Sequence, residues 1–203
     1  MKKLLPKEGY DKLAKTYKKY HNHLDKWHWL DFLDLIVSSE DNRDLKVLDL
    51  GSGDCRLYKF FVQAGLNIEY KACDISSLML SRCPSGIKTY QCDLNKSLPF
   101  EYEEFDIVLA FFVFLHVENL NLLAREIYRI LKSGGKLLIF HHIEKKPMQH
   151  KVGNEKFVIQ NFGWTYQHIK SVLIWAGFEI QSKAIMEENI KVGEYILAIK
   201  FKY

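Results

Sequence analysis

The stretch Val47-Leu48-Asp49-Leu50-Gly51-Ser52-Gly53-Asp54-Cys55 decides how the rest of the chain is read. Residues 46–50 are a short apolar run that predicts a buried strand, and two glycines spaced by one residue end it. A face of Leu57, Phe60, Phe61 and Ala64 then predicts a helix, with Gly65 as its C-terminal glycine. Glycine belongs where a backbone must turn with positive φ and come close to a ligand. A dinucleotide loop would want Gly-x-Gly-x-x-Gly, and here Arg56 holds the third glycine position. Asp49, two residues before the first glycine, suits a ligand with an ammonium group and would repel a pyrophosphate.

Working outward, the same period repeats. Residues 69–74 predict a second strand, with Ser76 or Ser77 capping a short helix after it, and residues 88–93 a third. Residues 105–112 are apolar throughout and predict a strand buried on both faces. Leu120, Leu123, Ala124, Ile127 and Leu131 mark the next helix, which ends at Ser133-Gly134-Gly135, and residues 136–141 make a fifth strand. Tyr166, Ile169, Val172, Leu173 and Ala176 mark a last helix closed by Gly177. Residues 178–186 and 194–202, with a turn through Asn189 and Gly193, predict an antiparallel hairpin. Ahead of the first strand, residues 8–20 (Tyr10, Leu13, Ala14, Tyr17) and 26–37 (Trp27, Leu30, Leu33, Ile36) read as two helices. Their aromatics, which include Tyr20, Trp29 and Phe32, suit either packing on the sheet or a lid over a ligand.

Alternating strand and helix predicts an α/β fold, a largely parallel sheet with helices on both faces. Ligands then bind at the carboxyl ends of the strands. Two acids fall there. Asp74 is placed to accept from both hydroxyls of a ribose, and Asp93 to accept from the exocyclic amine of an adenine. Glycine loop, ribose acid and adenine acid at successive strand ends describe a nucleoside carrying a cationic amino-acid tail.

Those residues resemble the class I S-adenosylmethionine-dependent methyltransferases, most of all the small type that includes quinone-biosynthesis enzymes. The resemblance runs from about Tyr10 to the C-terminus. It is carried by Asp49-x-Gly51-x-Gly53, Asp74, Asp93-Leu94, Phe105-Asp106-Ile107-Val108, the 131–136 turn and Tyr10-Asp11-Lys12-Leu13-Ala14-Lys15-Thr16-Tyr17. Cys55 departs from the glycine that the family favours at the third small position, and Ser133 replaces a usual proline. The resemblance implies a Rossmann-like three-layer sandwich with seven strands in the order 3-2-1-4-5-7-6, strand 7 antiparallel. It implies S-adenosylmethionine as cofactor, held by Asp49, Gly51, Ser52, Gly53, Asp74, Ile75, Asp93, Leu94, Ala110, Phe111 and Tyr17. An aromatic face on Tyr17, Tyr20 or Phe112 would attract the sulfonium. His116 is the candidate base, needed only for a nucleophile that is protonated at neutral pH. His141 is a second candidate, because one of His141 and His142 is expected to face the pocket.

Composition narrows the partners. The 203 residues suit a single domain, a helical lid over 1–40 and a core over 41–203. With 48% hydrophobic and 27% charged residues the chain is neither disordered nor fibrous. Net charge +4 is too mild to mark a dedicated nucleic-acid binder, but it leaves RNA open as an acceptor. No apolar run approaches the roughly 20 residues of a membrane span, and no signal peptide is read at the start, so a cytoplasmic location is expected. Cys55, Cys73, Cys83 and Cys92 form no Cys-x-x-Cys pair, which predicts reduced thiols and no zinc; His21-x-His23 also lacks a carboxylate partner at ligand spacing. Residues 144–163 read as a long irregular loop with Lys145, Lys146, His150, Lys151 and Lys156, suited to covering an anionic acceptor. The leading expectation is methyl transfer to a small molecule. The alternatives are a tRNA modified-uridine methyltransferase and a non-catalytic partner that keeps the fold.

Overall fold

The computed structural model describes residues 1–20, 30–36, 44–142, 148–187 and 190–201. Among the described residues, ten strands and seven α-helices are numbered in chain order below. The glycine-loop strand β2 (Leu45–Leu50) follows β1 (Lys2–Leu4), α1 (Pro6–Leu13), α2 (Tyr17–Tyr20) and α3 (Leu30–Ile36). After it come α4 (Tyr58–Gln63), β3 (Ile68–Asp74), α5 (Ser77–Leu80), β4 (Lys88–Gln91) and β5 (Phe105–Phe111). A 3-10 turn at Phe114–His116 leads to α6 (Leu120–Ile130) and β6 (Leu131–His142). The chain finishes with β7 (Gln149–Val152), β8 (Glu155–Ile159), α7 (Tyr166–Trp175), β9 (Phe178–Glu187) and β10 (Ile190–Lys200).

Seven strands form one sheet in the order β4-β3-β2-β5-β6-β10-β9. Counted within the sheet, this is the expected 3-2-1-4-5-7-6. β10 is antiparallel to both β6 and β9, and every other pairing is parallel. Alternating side chains divide the sheet between two cores. Leu48, Leu50, Val108, Ala110, Leu137 and Ile139 point to the layer of α6 and α7. Val47, Ile107, Leu109, Leu138 and Phe140 point to the layer of α3 and α4. Helix starts are fixed locally: the side chains of Ser76, Asn119 and Thr165 accept from the backbone N–H groups of Met79, Leu122 and His168.

Two expectations change. The helix expected over 8–20 breaks after Leu13, where the Thr16 hydroxyl donates to the Leu13 carbonyl and offers a local alternative to the helix ladder. Residues 148–159 are not irregular: β7 and β8 form an antiparallel hairpin, and β1 adds to β8 in parallel as a separate three-stranded sheet. Gly153-Asn154 is its two-residue turn, with Gly153 at φ +58. Residues 21–29, 37–43 and 143–147 lie outside the described residues, and with them Trp27, Trp29, His21, His23, Lys145 and Lys146. So do the side chains of Tyr20, Phe32 and His142.

Candidate active site

Most of the expected site residues that the structure describes lie at the carboxyl edge of β2, β3, β4 and β5, under α1. One cavity there is lined by Tyr10, Tyr17, Gly51, Gly53, Asp74, Ile75, Asp93, Leu94, Phe111, Phe112 and His116, with Pro6, Met79, Asn95, Val113 and Val117. Gly51 and Gly53 sit at φ +65 and +57. A Cβ on Gly51 would come within 2.3 Å of Val113, and one on Gly53 within 3.2 Å of Met79, so the turn admits little besides glycine. Asp74 is buried beside them. Its Oδ2 accepts from Gly53 N (2.9 Å) and its Oδ1 from Ser76 N (2.8 Å). Burial pushes this carboxyl up, and those backbone N–H groups pull it back. Asp93, about one-third exposed, is steadied by the backbone N–H of Asn95 at 3.0 Å.

At His116, Nδ1 lies 2.5 Å from the carbonyl of Gln160, which can only accept, so Nδ1 carries the proton. Nε2 is then a lone pair, and the Tyr10 hydroxyl donates to it at 2.9 Å. The two rings meet edge to face. Burial pushes His116 down to about 4, against the upward pull of the Gln160 carbonyl. The imidazole is therefore neutral at pH 7 and oriented by its backbone partner.

A methyltransferase domain model matches residues 48–139. The demethylmenaquinone methyltransferase of Leptospira interrogans is 27% identical over 151 residues, 65% of this chain and 58% of the relative. The UbiE ubiquinone/menaquinone biosynthesis C-methyltransferase of Wigglesworthia glossinidia is 27% identical over 80% of this chain and 73% of its own. Among solved structures, the S-adenosylmethionine-dependent methyltransferase of Mesorhizobium loti superposes with TM-score 0.67 at 18% identity, covering 84% and 96% of the two chains. A chain of the Haloferax volcanii complex between the Trm112 methyltransferase activator and a methyltransferase superposes with TM-score 0.70 at 14% identity, covering 95% and 97%.

Residues 48–139 match a methyltransferase domain, and the fold is that of S-adenosylmethionine-dependent methyltransferases. S-adenosylmethionine is the cofactor, and the cavity fits it. The turn at Gly51 and Gly53 leaves room for close approach, Asp74 offers acceptors for a diol, and Asp93 with Asn95 offers polar groups for an adenine edge. The chain spans 58% of the length of the Leptospira relative, so acceptor and partners are not carried over from it.

Of the expected cofactor residues, Gly51, Gly53, Asp74, Ile75, Asp93, Leu94, Phe111 and Tyr17 line the cavity. Asp49, Ser52 and Ala110 do not. Asp49 is buried beneath the loop, where the Tyr70 hydroxyl donates to it at 2.5 Å. Burial pushes Asp49 up to about 7, against that hydrogen bond. Ser52 bonds through its backbone N–H to the Cys73 carbonyl, and Ala110 is fully buried. Tyr17 differs from expectation in one respect: the Arg56 guanidinium, paired with Asp54, already lies 5.0 Å above its ring.

His116 is in the cavity and His141 is not. His141 Nε2 lies 2.9 Å from the Trp164 carbonyl and its ring packs against Tyr166, so this side chain ties β6 to α7 instead of meeting a substrate. The basic segment is also corrected. Lys151 and Lys156 lie outside the cavity lining, and what the segment contributes is the Gln160 carbonyl behind His116. Sequence reasoning missed Tyr10 as a partner of His116. Its place in the apolar stripe of the first helix looks like simple packing.

The cysteine expectation is overturned as well. Cys55 and Cys83 form a disulfide with their Cα atoms 5.1 Å apart, within the usual range. Cys73 and Cys92 remain free and buried. The bond links residues 28 apart in sequence, with no spacing motif to announce it.

Proposed function

We propose that this protein transfers the methyl group of S-adenosylmethionine to a small, largely apolar acceptor whose nucleophile carries a proton at neutral pH. The carrying observation is the neutral His116 in the cavity lining, its Nε2 accepting from the Tyr10 hydroxyl and its Nδ1 proton held by Gln160. The cofactor supplies an electrophilic methyl group on a sulfonium. Asp74 and the glycine turn hold the nucleoside, and Asp93 and Asn95 receive its base. Pro6, Phe112, Val113 and Val117 exclude water from the lining. As the nucleophile attacks, the Tyr10 hydroxyl passes its proton to His116 Nε2 and takes the acceptor's proton in its place. The Gln160 carbonyl then stabilises the imidazolium that forms. A carboxylate acceptor would need no such base, and among the described residues no Lys or Arg lines the cavity to receive an anion. The names of the Leptospira and Wigglesworthia relatives point the same way, to a small-molecule ring as acceptor.

The test is incubation with methyl-labelled cofactor and separate metabolite and RNA extracts. Label is expected in the metabolite fraction; label in RNA alone would overturn the small-molecule reading, and label in neither would support the non-catalytic alternative. With an acceptor in hand, His116→Gln is expected to slow turnover by roughly 10²–10⁴-fold and leave the Kd for S-adenosylhomocysteine unchanged. The pH profile checks the same group. Because His116 is held at about 4, kcat/KM is expected to stay level through pH 6.5 and to fall only toward pH 4, as the imidazole gains its proton. A limb at 6.5 would remove His116 from the base role.

A further inference from the structure

The four cysteines gather at the cofactor end of the sheet. Cys73 directly precedes Asp74, and Cys92 directly precedes Asp93. Cys55 follows the glycine turn, and Cys83 lies just beyond α5, with its sulfur 3.7 Å from the Gly53 carbonyl. The Cys55–Cys83 bond therefore joins two walls of one cavity, the glycine turn and the α5 segment that carries Met79. Asp74 bridges the same two walls without a covalent bond, accepting from Gly53 N on one side and Ser76 N on the other.

The backbone of Cys55 is unusual. It sits at φ +58, in the left-handed region that a side chain with a Cβ disfavours. The disulfide anchors it there. Accessibility is one-sided: Cys55 is 1% exposed, whereas Cys83 is half-buried in an otherwise exposed turn.

We propose that Cys55–Cys83 is a thiol–disulfide exchange site for a dithiol reductant, and that its oxidised form is the one that binds the cofactor tightly. A thiolate of the reductant attacks the Cys83 sulfur, the S–S bond breaks, and Cys55 leaves as a thiolate that takes a proton. The reductant's second thiolate then attacks the mixed disulfide, closes its own disulfide and releases Cys83, which takes the other proton. Two electrons pass from the dithiol to the protein. Cys55, no longer anchored, relaxes from the left-handed region, and Gly53 N moves off Asp74. The proposal rests on the cofactor lying against the glycine turn; it does not depend on the acceptor.

The experiment is calorimetric titration of the full chain with S-adenosylhomocysteine, before and after dithiothreitol. Alkylation after unfolding fixes the state, with two free thiols expected in the oxidised protein (Cys73 and Cys92) and four in the reduced. Reduction is expected to raise Kd about five- to thirtyfold, the factor that corresponds to the penalty on a left-handed non-glycine residue. Two variants separate the bond from the backbone. Cys55→Gly tolerates positive φ without an anchor, so it is expected to bind like the oxidised wild type with or without dithiothreitol. Cys83→Ser keeps the disfavoured residue unanchored, so it is expected to bind like the reduced wild type under both conditions. Equal Kd values for the two wild-type states, tighter binding after reduction, or oxidised-like binding by Cys83→Ser would overturn the exchange site alone. Binding in neither state would overturn the placement of the cofactor as well.

Discussion

Asp74 carries two demands on one carboxylate. Each oxygen already accepts a backbone N–H, from Gly53 or from Ser76, yet an ionised carboxylate has about four lone-pair directions. A ribose diol can therefore be received without releasing the turn. Asp74→Ala removes charge-assisted bonds worth roughly 1.5–3 kcal/mol, and cofactor affinity is expected to fall about ten- to a hundredfold. Calorimetry with S-adenosylhomocysteine checks this, and an unchanged Kd would sink the ribose assignment. That Asp74, Asp93 and the two glycines would share one cavity could be expected from the sequence, because each sits at the carboxyl end of a strand. The place of His141 could not. Strand alternation allowed either face, and only the packing of α7 on β6 turned it toward the Trp164 carbonyl. Tyr10 was hidden for a related reason: an aromatic in an apolar stripe gives no sign that its hydroxyl reaches a histidine 106 residues away.

Among the elements, β1 and α1 depend on a hairpin more than 140 residues further along. β1 pairs with β8 in parallel, and α1 follows it across the cavity, placing Pro6 and Tyr10 in the lining. Leu4, Leu13, Phe157 and Ile159 form the small core between them. Gly9 is what allows the approach, since a Cβ there would lie 2.5 Å from Ile159 Cγ1. Gly9→Ala is expected to destabilise this layer by about 1–3 kcal/mol, as overpacking does. The expected readout is faster proteolysis near the N-terminus, with partial recovery when Ile159→Ala opens the space. Equal proteolysis of wild type and Gly9→Ala would show that the contact does not hold the layer. The hairpin itself was missed by the sequence reading, although Gly153-Asn154 between two strand-length segments is a hairpin signal. Its pairing with β1 was not, because parallel pairing leaves no local turn and three residues carry too little pattern.

For the whole molecule, the sheet separates two cores and leaves its carboxyl edge as the place where loops converge. Among the described residues, no helix is long and apolar enough to cross a membrane. The disulfide closes a loop of 28 residues that contains α4, β3 and α5. In the loop-closure model such a bond contributes about 3–4 kcal/mol, chiefly by restricting the unfolded chain. Dithiothreitol is therefore expected to lower the urea midpoint of the wild type and to leave that of a Cys55→Ala, Cys83→Ala double variant unmoved. A wild-type midpoint that does not shift would mean that the bond adds nothing to stability.

The sequence by itself determined the α/β class, the strand order through family resemblance, and the cofactor. These follow from signals that are local in the chain: the period of apolar residues, glycines at a turn, and acids at strand ends. Tertiary structure alone decided that His116 is paired with Tyr10 and held by Gln160, that Asp49 lies beneath the loop, and that Cys55 is bonded to Cys83. Each of these joins residues far apart in sequence. Their meeting depends on how the layers pack, and no spacing along the chain encodes it.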